Sequence, residues 1–377
     1  MKQIKDPVSS VFVSIEDDEL PLVDSSEFQR LRRVKQLGLS SLVYPGATHS
    51  RFIHSIGVLH LSELFCESLD ITGYERKVIR CAGLLHDIGH GPFSHASEGA
   101  IENFPHHEEQ SAKIIREFEE RGILPVDAED VIGFISGESN PSIIAGDIDA
   151  DRIDYLRRDS HNTGVPHGTV DTRNLIESAI LLPDGTVGFK RRGVESIEKL
   201  LSARKGMIRS VYQHPTARIA ERMLEESISH ITHDTVYGHP INRLDDSQMH
   251  TFLLNNTGIA GELYSNIVNR NLYKIAYEVR RRNFDGFPSY SSSQLETYLV
   301  EELSAEPHEV FVEYYNTEKR KPLDIDIKTK QGEILSFNEF SSVNQMLNGD
   351  GEQLMFAVYV KSQYQQKTNQ ILNRIDS

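Results

Sequence analysis

Up to about residue 300, apolar residues recur mostly at helical intervals. Phe28, Leu31, Val34 and Leu37 follow at three-residue steps behind Asp24-Ser25-Ser26-Glu27, and the run stops at Gly38, which predicts a helix with Asp24 as its N-cap. A second helix is expected over 51–69, where Arg51 and His54 share a face, and a third over 75–88, ending at Gly89. Gly91-Pro92-Phe93-Ser94 then makes a tight link into a helix carrying Glu98. Helices over 107–120, 127–135 and 151–159 follow, and a long one over 194–213 is broken by His214-Pro215. Helical spacing continues to about 279. Alternating patterns predict short strands near 11–13, a hairpin near 180–190 around Pro183-Asp184-Gly185, and strands at 310–315, 323–327 and 355–360. The expected fold is mainly α: a helical core over 1–300 and a small α+β lobe over 301–377.

Composition narrows the function. The chain has 377 residues, 38% hydrophobic, enough for a large domain with a smaller lobe. A formal charge of -16 argues against broad electrostatic binding to nucleic acid or anionic membrane. Basic residues nevertheless gather near the candidate site, at Arg30, Arg32, Arg33, Lys35, Arg51, Arg152, Arg157, Arg158, Arg204, Lys205 and Arg209, which suits a small polyphosphate ligand. Cys66 and Cys81 lie in apolar helical stretches without metal-type spacing, and 1–7 shows no apolar signal core. With no run of membrane-spanning length, the expectation is a cytoplasmic protein without a membrane partner.

The chemistry concentrates in Leu84-Leu85-His86-Asp87-Ile88-Gly89-His90-Gly91-Pro92-Phe93-Ser94-His95. Imidazole and carboxylate without cysteine form a nitrogen-and-oxygen ligand set for a divalent cation. Alone, a His-Asp pair at a helix end is most often a cap or an ordinary hydrogen bond. His54 and Asp151 supply further ligands, giving a candidate set on separate helices. Asp151, Asp154, Tyr155 and Arg158 share a face by their three- and four-residue spacings, and Arg204, Ile208 and Tyr212 line another helix. On spacing alone, Arg204 and Tyr212 read as packing and solvated charge.

Together Arg51…His54, His86-Asp87 and Asp151 make an H…HD…D signature, and the chain resembles the HD-domain metal-dependent phosphohydrolases. Within them it is similar to the deoxynucleoside triphosphate triphosphohydrolases, in the branch of the human SAM-and-HD-domain enzyme. Phe28-Gln29-Arg30-Leu31-Arg32, Tyr44-Pro45-Gly46-Ala47, His107-Glu108, Asp154-Tyr155 and Tyr212-Gln213-His214 carry that likeness. It implies hydrolysis of a dNTP to deoxynucleoside and inorganic triphosphate, with His54, His86, Asp87 and Asp151 holding one Fe, Mn, Zn, Co or Ni ion, and Mg accompanying the substrate phosphates. It implies phosphate contacts from Arg51, Arg152, Tyr155 and His90, and proton transfer by His95 with Glu98 and Glu108, His107 lying close by. Asp159 would accept from the sugar 3′-hydroxyl, Gln36 and Leu37 would crowd the sugar, and Arg204, Tyr212 and Gln213 would line sugar and base.

Arg152, Glu98 and Ile208 stand where that enzyme has lysine, aspartate and histidine, the last bearing on base preference. The likeness further implies a homo-oligomer, tetramer or dimer, activated by dGTP or GTP at a pocket containing Lys2, Asp24 and Arg32. Without it, Asp24 is a helix cap and Arg32 a solvated charge. Two other readings stay open: a phosphodiesterase or nucleotidase acting on another nucleotide, and a nucleotide-sensing assembly module without turnover.

Overall fold

The helix Arg51–Ser68 is apolar on nearly every side: Phe52, Ile56, Val58, Leu59, Leu61, Phe65 and Cys66 are all buried. A helix of that kind has to lie inside a core. It packs against the helices Gly73–Leu85 and Ala150–Thr163. The close approach of the latter depends on Gly57, where a Cβ would sit 2.0 Å from Asp154 Oδ1 and 2.3 Å from an Arg158 nitrogen. The computed structural model describes residues 1–100, 105–231, 235–236, 238–282, 290–316, 325–343 and 353–375.

The chain divides into two compact units, one of Met1–His214, His233–Thr251 and Leu323–Gln345, the other of Pro215–Thr232, Phe252–Pro322 and Met346–Ser377. This division differs from a single cut near residue 300. In the first unit, strands Lys2–Lys5 and Phe12–Ile15 pair antiparallel, Ile4 opposite Val13. The hairpin Ala179–Leu181 and Val187–Lys190 takes a third, parallel strand, Asp326–Lys328, with Phe189 opposite Ile327, and Ile334–Ser336 completes that sheet. The expected 323–327 strand is therefore part of this unit; Leu323 and Asp324 lie outside the described residues.

In the second unit, Gln353–Val360 is the central strand of an antiparallel sheet between Lys274–Arg282 and Val310–Asn316. Phe356, Val358 and Val360 alternate inward with Val310 and Val312. Leu295, Leu299 and Leu303 of the helix Ser292–Leu303, and Ile371 and Leu372 of Gln365–Ile375, pack on that face. Helical spacing to about 279 was the wrong period for its last residues: pairing with Gln353–Val360 makes Lys274–Arg282 a strand.

A second correction concerns Asp24. Ser25 is the N-cap, accepting from the Phe28 amide at 3.2 Å, and the helix Ser26–Arg30 tightens into a 3₁₀ turn, Leu31–Arg33, instead of running to Gly38. Beyond it the backbone is drawn into pairing, with the amides of Arg51 and Gln36 donating to the carbonyls of Val34 and His49. Among the described residues no helix is long and apolar enough to cross a membrane.

Candidate metal centre

His54 lies near the start of its helix, His86 and Asp87 follow the last turn of Gly73–Leu85, and Asp151 lies in the first turn of Ala150–Thr163. His54 Nε2 is 3.2 Å from His86 Nε2, 2.9 Å from Asp151 Oδ1 and 3.7 Å from Asp87 Oδ2. His86 Nε2 is 3.5 Å from Asp87 Oδ1 and 3.6 Å from Asp151 Oδ1. A metal bound by imidazole and carboxylate at about 2.0–2.2 Å spaces its neighbouring ligand atoms about 3.0–3.5 Å apart. The observed separations span that interval. His54, His86 and Asp87 each bring a ligand atom within 4.8 Å of the others, and Asp151 joins them through the two imidazoles.

Hydrogen bonding fixes how these imidazoles face the centre. His86 Nδ1 lies 2.9 Å from the Gly83 carbonyl, which only accepts, so Nδ1 carries the proton. His54 Nδ1 lies 2.8 Å from Asp154 Oδ2. In the neutral tautomers these bonds select, both Nε2 atoms would turn lone pairs toward each other and toward two carboxylates, an arrangement that protons or a metal cation relieve. Asp154 is held in turn by Arg158, whose Nε and Nη2 donate at 2.7 and 2.8 Å while Nη1 donates to Asp6 at 2.9 Å. Arg51 donates to Asp87 at 2.6 Å and to the Ser94 hydroxyl at 2.8 Å.

The electrostatics agree with a cation site. Burial opposes charge on His54, yet hydrogen bonds to Asp151 and Asp154 lift it to about 10. Burial also disfavours the Asp87 anion, but Arg51 and His86 hold it well below the usual carboxylate range. Asp151 is likewise lowered against burial, by His54 and His86. The field that would protonate His54 attracts a metal ion equally. The residues present fit a divalent metal.

The link after Asp87 is strained. Phe93 and Ser94 have φ of 56° and 53°, a left-handed region costing about 1–3 kcal/mol per non-glycine residue. Asp246 holds the turn by accepting from the Phe93 amide at 2.8 Å, and Arg51 holds the Ser94 hydroxyl. This turn aims His95 toward a second cluster. Glu98 lies 3.1 Å from His107 Nδ1, 3.3 Å from His95 Nδ1 and 3.5 Å from His90 Nδ1, and the rings of His90 and His107 stack at 4.0 Å. His90 Nε2 is 3.3 Å from Asp87 Oδ1, which connects the two groups. Although burial opposes its charge, the three imidazoles around it, His107 first, keep Glu98 far below the usual range. Glu108 lies apart from this network, exposed on the wall of a cavity of about 440 Å³ that also includes His86, Asp87, His107, Asp151 and Arg152.

Further out, Asp159 is already engaged, with His49 Nε2 at 2.8 Å and the Tyr212 hydroxyl donating at 2.7 Å. Tyr212 sits on a π-helical turn, Ile208–Tyr212, that interrupts the expected 194–213 helix, and its ring meets Tyr155 edge-on at 6.3 Å. Burial raises the Tyr155 phenol to about 12, despite the nearby cations Arg204 and Arg152. Arg152 Nε and Gln36 Oε1 are buried without a hydrogen-bond partner, while Leu37 and Gln213 are half-buried. Lys2 and Asp24 meet at 3.0 Å on the surface, whereas Arg32 donates to Gln29 and lies over the Phe52 ring.

Several expected phosphate cations prove to be structural. Arg30 donates to the carbonyls of Leu244 and Ile88, Arg33 pairs with Asp245, and Arg158 is fully buried. Sequence reading overlooked Asp6, His49, Ser94 and Asp246 as supports. Asp154 alone had a local signal, its spacing from Asp151 and Arg158.

A fold of this kind around a His/Asp centre defines a metal-dependent hydrolase, and comparison with known proteins agrees. An HD domain matches residues 51–159 and an HD associated region matches residues 170–375. The chain belongs to the HD-domain phosphohydrolase family. It is 32% identical over 360 residues to an uncharacterized protein of Methanocaldococcus jannaschii, covering 92% of this chain and 76% of that one. It is 31% identical over 303 residues to the deoxynucleoside triphosphate triphosphohydrolase SAMHD1 homolog of Dictyostelium discoideum, 71% of this chain and 58% of that one. Among solved structures, a phosphohydrolase from Bacteroides thetaiotaomicron superposes with TM-score 0.79 at 29% identity, over 95% of this chain and 99% of that one.

Proposed function

We propose that the protein hydrolyses deoxynucleoside triphosphates to deoxynucleoside and inorganic triphosphate. The observation that carries this reading is the convergence of His54, His86, Asp87 and Asp151 on one point beside a cavity that His86, Asp87, Asp151 and Arg152 line. The Dictyostelium relative's name supplies the substrate class. Those four side chains would hold a divalent metal, which would supply Lewis acidity for attack by water at the α-phosphorus.

The chain's own residues do the rest. Arg51, committed to Asp87, acts by fixing that carboxylate rather than by holding phosphate. Arg152, with an unpartnered buried Nε, and the Tyr155 phenol offer hydrogen-bond donors to the phosphate tail. Asp159, oriented by His49 and Tyr212, accepts from the sugar 3′-hydroxyl, and Arg204, Gln213, Gln36 and Leu37 shape the sugar and base end. His95, steered by Glu98, gives a proton to the departing 5′-oxygen, with His90 and His107 bracing the pair. A guanine nucleotide bound between copies of the chain at Lys2, Asp24 and Arg32 would regulate it. Activity and particle mass compared with and without dGTP test that part.

The test of the whole reading is to strip metal with a chelator, reload with Mn²⁺ or Fe²⁺, and resolve the products from each dNTP. Metal-dependent release of deoxynucleoside and triphosphate is expected. Monophosphate with pyrophosphate, or no product from a loaded protein, would refute it.

A further inference from the structure

His90, His95, Glu98 and His107 each bring a ligand atom within 4.8 Å of the others. Three imidazoles share one carboxylate, at 3.1, 3.3 and 3.5 Å, which is an oversupply for a proton-transfer pair. The tetrahedral ligand edge around zinc, with nitrogen and oxygen at about 2.0–2.2 Å, is close to these values at about 3.4 Å. A second observation points the same way: His90 is 2% exposed, and its Nδ1, which faces Glu98, has no hydrogen-bond partner. A buried nitrogen in that state is costly unless something absent from the protein atoms satisfies it. The backbone supports the arrangement. Glu98 is three residues from His95 on the short helix His95–Ala100, and His107 opens the helix His107–Glu120. Gly89 lets that helix come close, since a Cβ there would lie 2.1 Å from the His107 carbonyl.

We propose that His90, His95, Glu98 and His107 form a second cation site, selective for Zn²⁺ or another imidazole-preferring transition metal and separate from the His54/His86/Asp87/Asp151 centre. Asp87, 3.3 Å from His90 Nε2, orients the His90 ring so that Nδ1 points at the second ion while the carboxylate serves the first. The ligand set is three nitrogens and one oxygen, which disfavours Mg²⁺. Filling it would occupy the His95 imidazole and slow hydrolysis. That consequence rests on the proposed function, whereas metal content does not.

The experiment loads the full-length protein with Zn²⁺, removes unbound ion and counts metal per chain by mass spectrometry. Co²⁺ loading alongside gives the visible absorption of each site. Two equivalents are expected for the parent, one for His95→Ala, one for Glu98→Gln, and one for His86→Ala with Asp87→Ala. His95 is exposed, so its removal leaves the packed core intact. The proposal falls if the parent holds a single equivalent, if His95→Ala and Glu98→Gln keep two, or if either loses both. Hydrolysis by a protein holding one equivalent would leave the proposed function standing without this site.

Discussion

The two histidine groups are joined at Asp87 and His90 but built on opposite principles. In the first, each imidazole has its outer nitrogen tied to a fixed acceptor, Gly83 for His86 and Asp154 for His54, and the support extends through Arg158 to Asp6. In the second, exposure runs from the buried His90 to a His95 side chain that is 71% exposed, and the imidazoles share one carboxylate. Buried imidazoles with fixed partners suit a permanent ion, because rearrangement would leave charges unpaired in the core. A graded, partly wet cluster suits groups that exchange protons or ions.

The widest separation between the two groups should come from Asp87→Ala, which removes a ligand and leaves Arg51 without its anion. Hydrolysis should fall to background with the helical signal retained, as checked by turnover and circular dichroism. Full turnover by the folded variant would break the comparison. His95→Ala should lower kcat by about 100-fold while leaving the metal of the first centre in place and KM little changed. An effect on KM alone would move His95 to binding. Asp154→Asn keeps the shape but weakens the anchor of His54, and a loss of metal affinity of about 10-fold to 100-fold is expected from a chelator titration.

The smallest effect is on pH. Burial, and then Arg51, push His90 down to about 4 from 6.5. The unfolded chain therefore binds this proton at a higher pH than the folded one does. The stabilisation from keeping His90 neutral is full above about 6.5 and is lost as pH falls toward 4. The Tm of the metal-free protein should drop over that window, and His90→Asn should flatten this part of the drop. An identical Tm profile for the variant would show that His90 does not titrate this way.

Much of the first group was legible in the chain because helical spacing carries it: His54 three residues after Arg51, His86-Asp87 at a helix end, Asp151 in a first turn. Its supports were not, because Asp6, Ser94 and Asp246 reach the site only through tertiary folding. Side-chain commitment was equally hidden. Arg30 and Arg158 read as phosphate cations, yet buried acceptors claim them both. The end of the Ser26–Arg30 helix and the Lys274–Arg282 strand were misread where backbone pairing with distant segments overrode a local period.

The central claim is attack by water at the α-phosphorus with departure of the 5′-oxygen, and isotope placement tests it most directly. The metal-loaded protein is to be run on a dNTP in ¹⁸O-labelled water and the products weighed by mass spectrometry. The account predicts one label in inorganic triphosphate and none in the deoxynucleoside. Label in the deoxynucleoside, or in a monophosphate or pyrophosphate product, would contradict it.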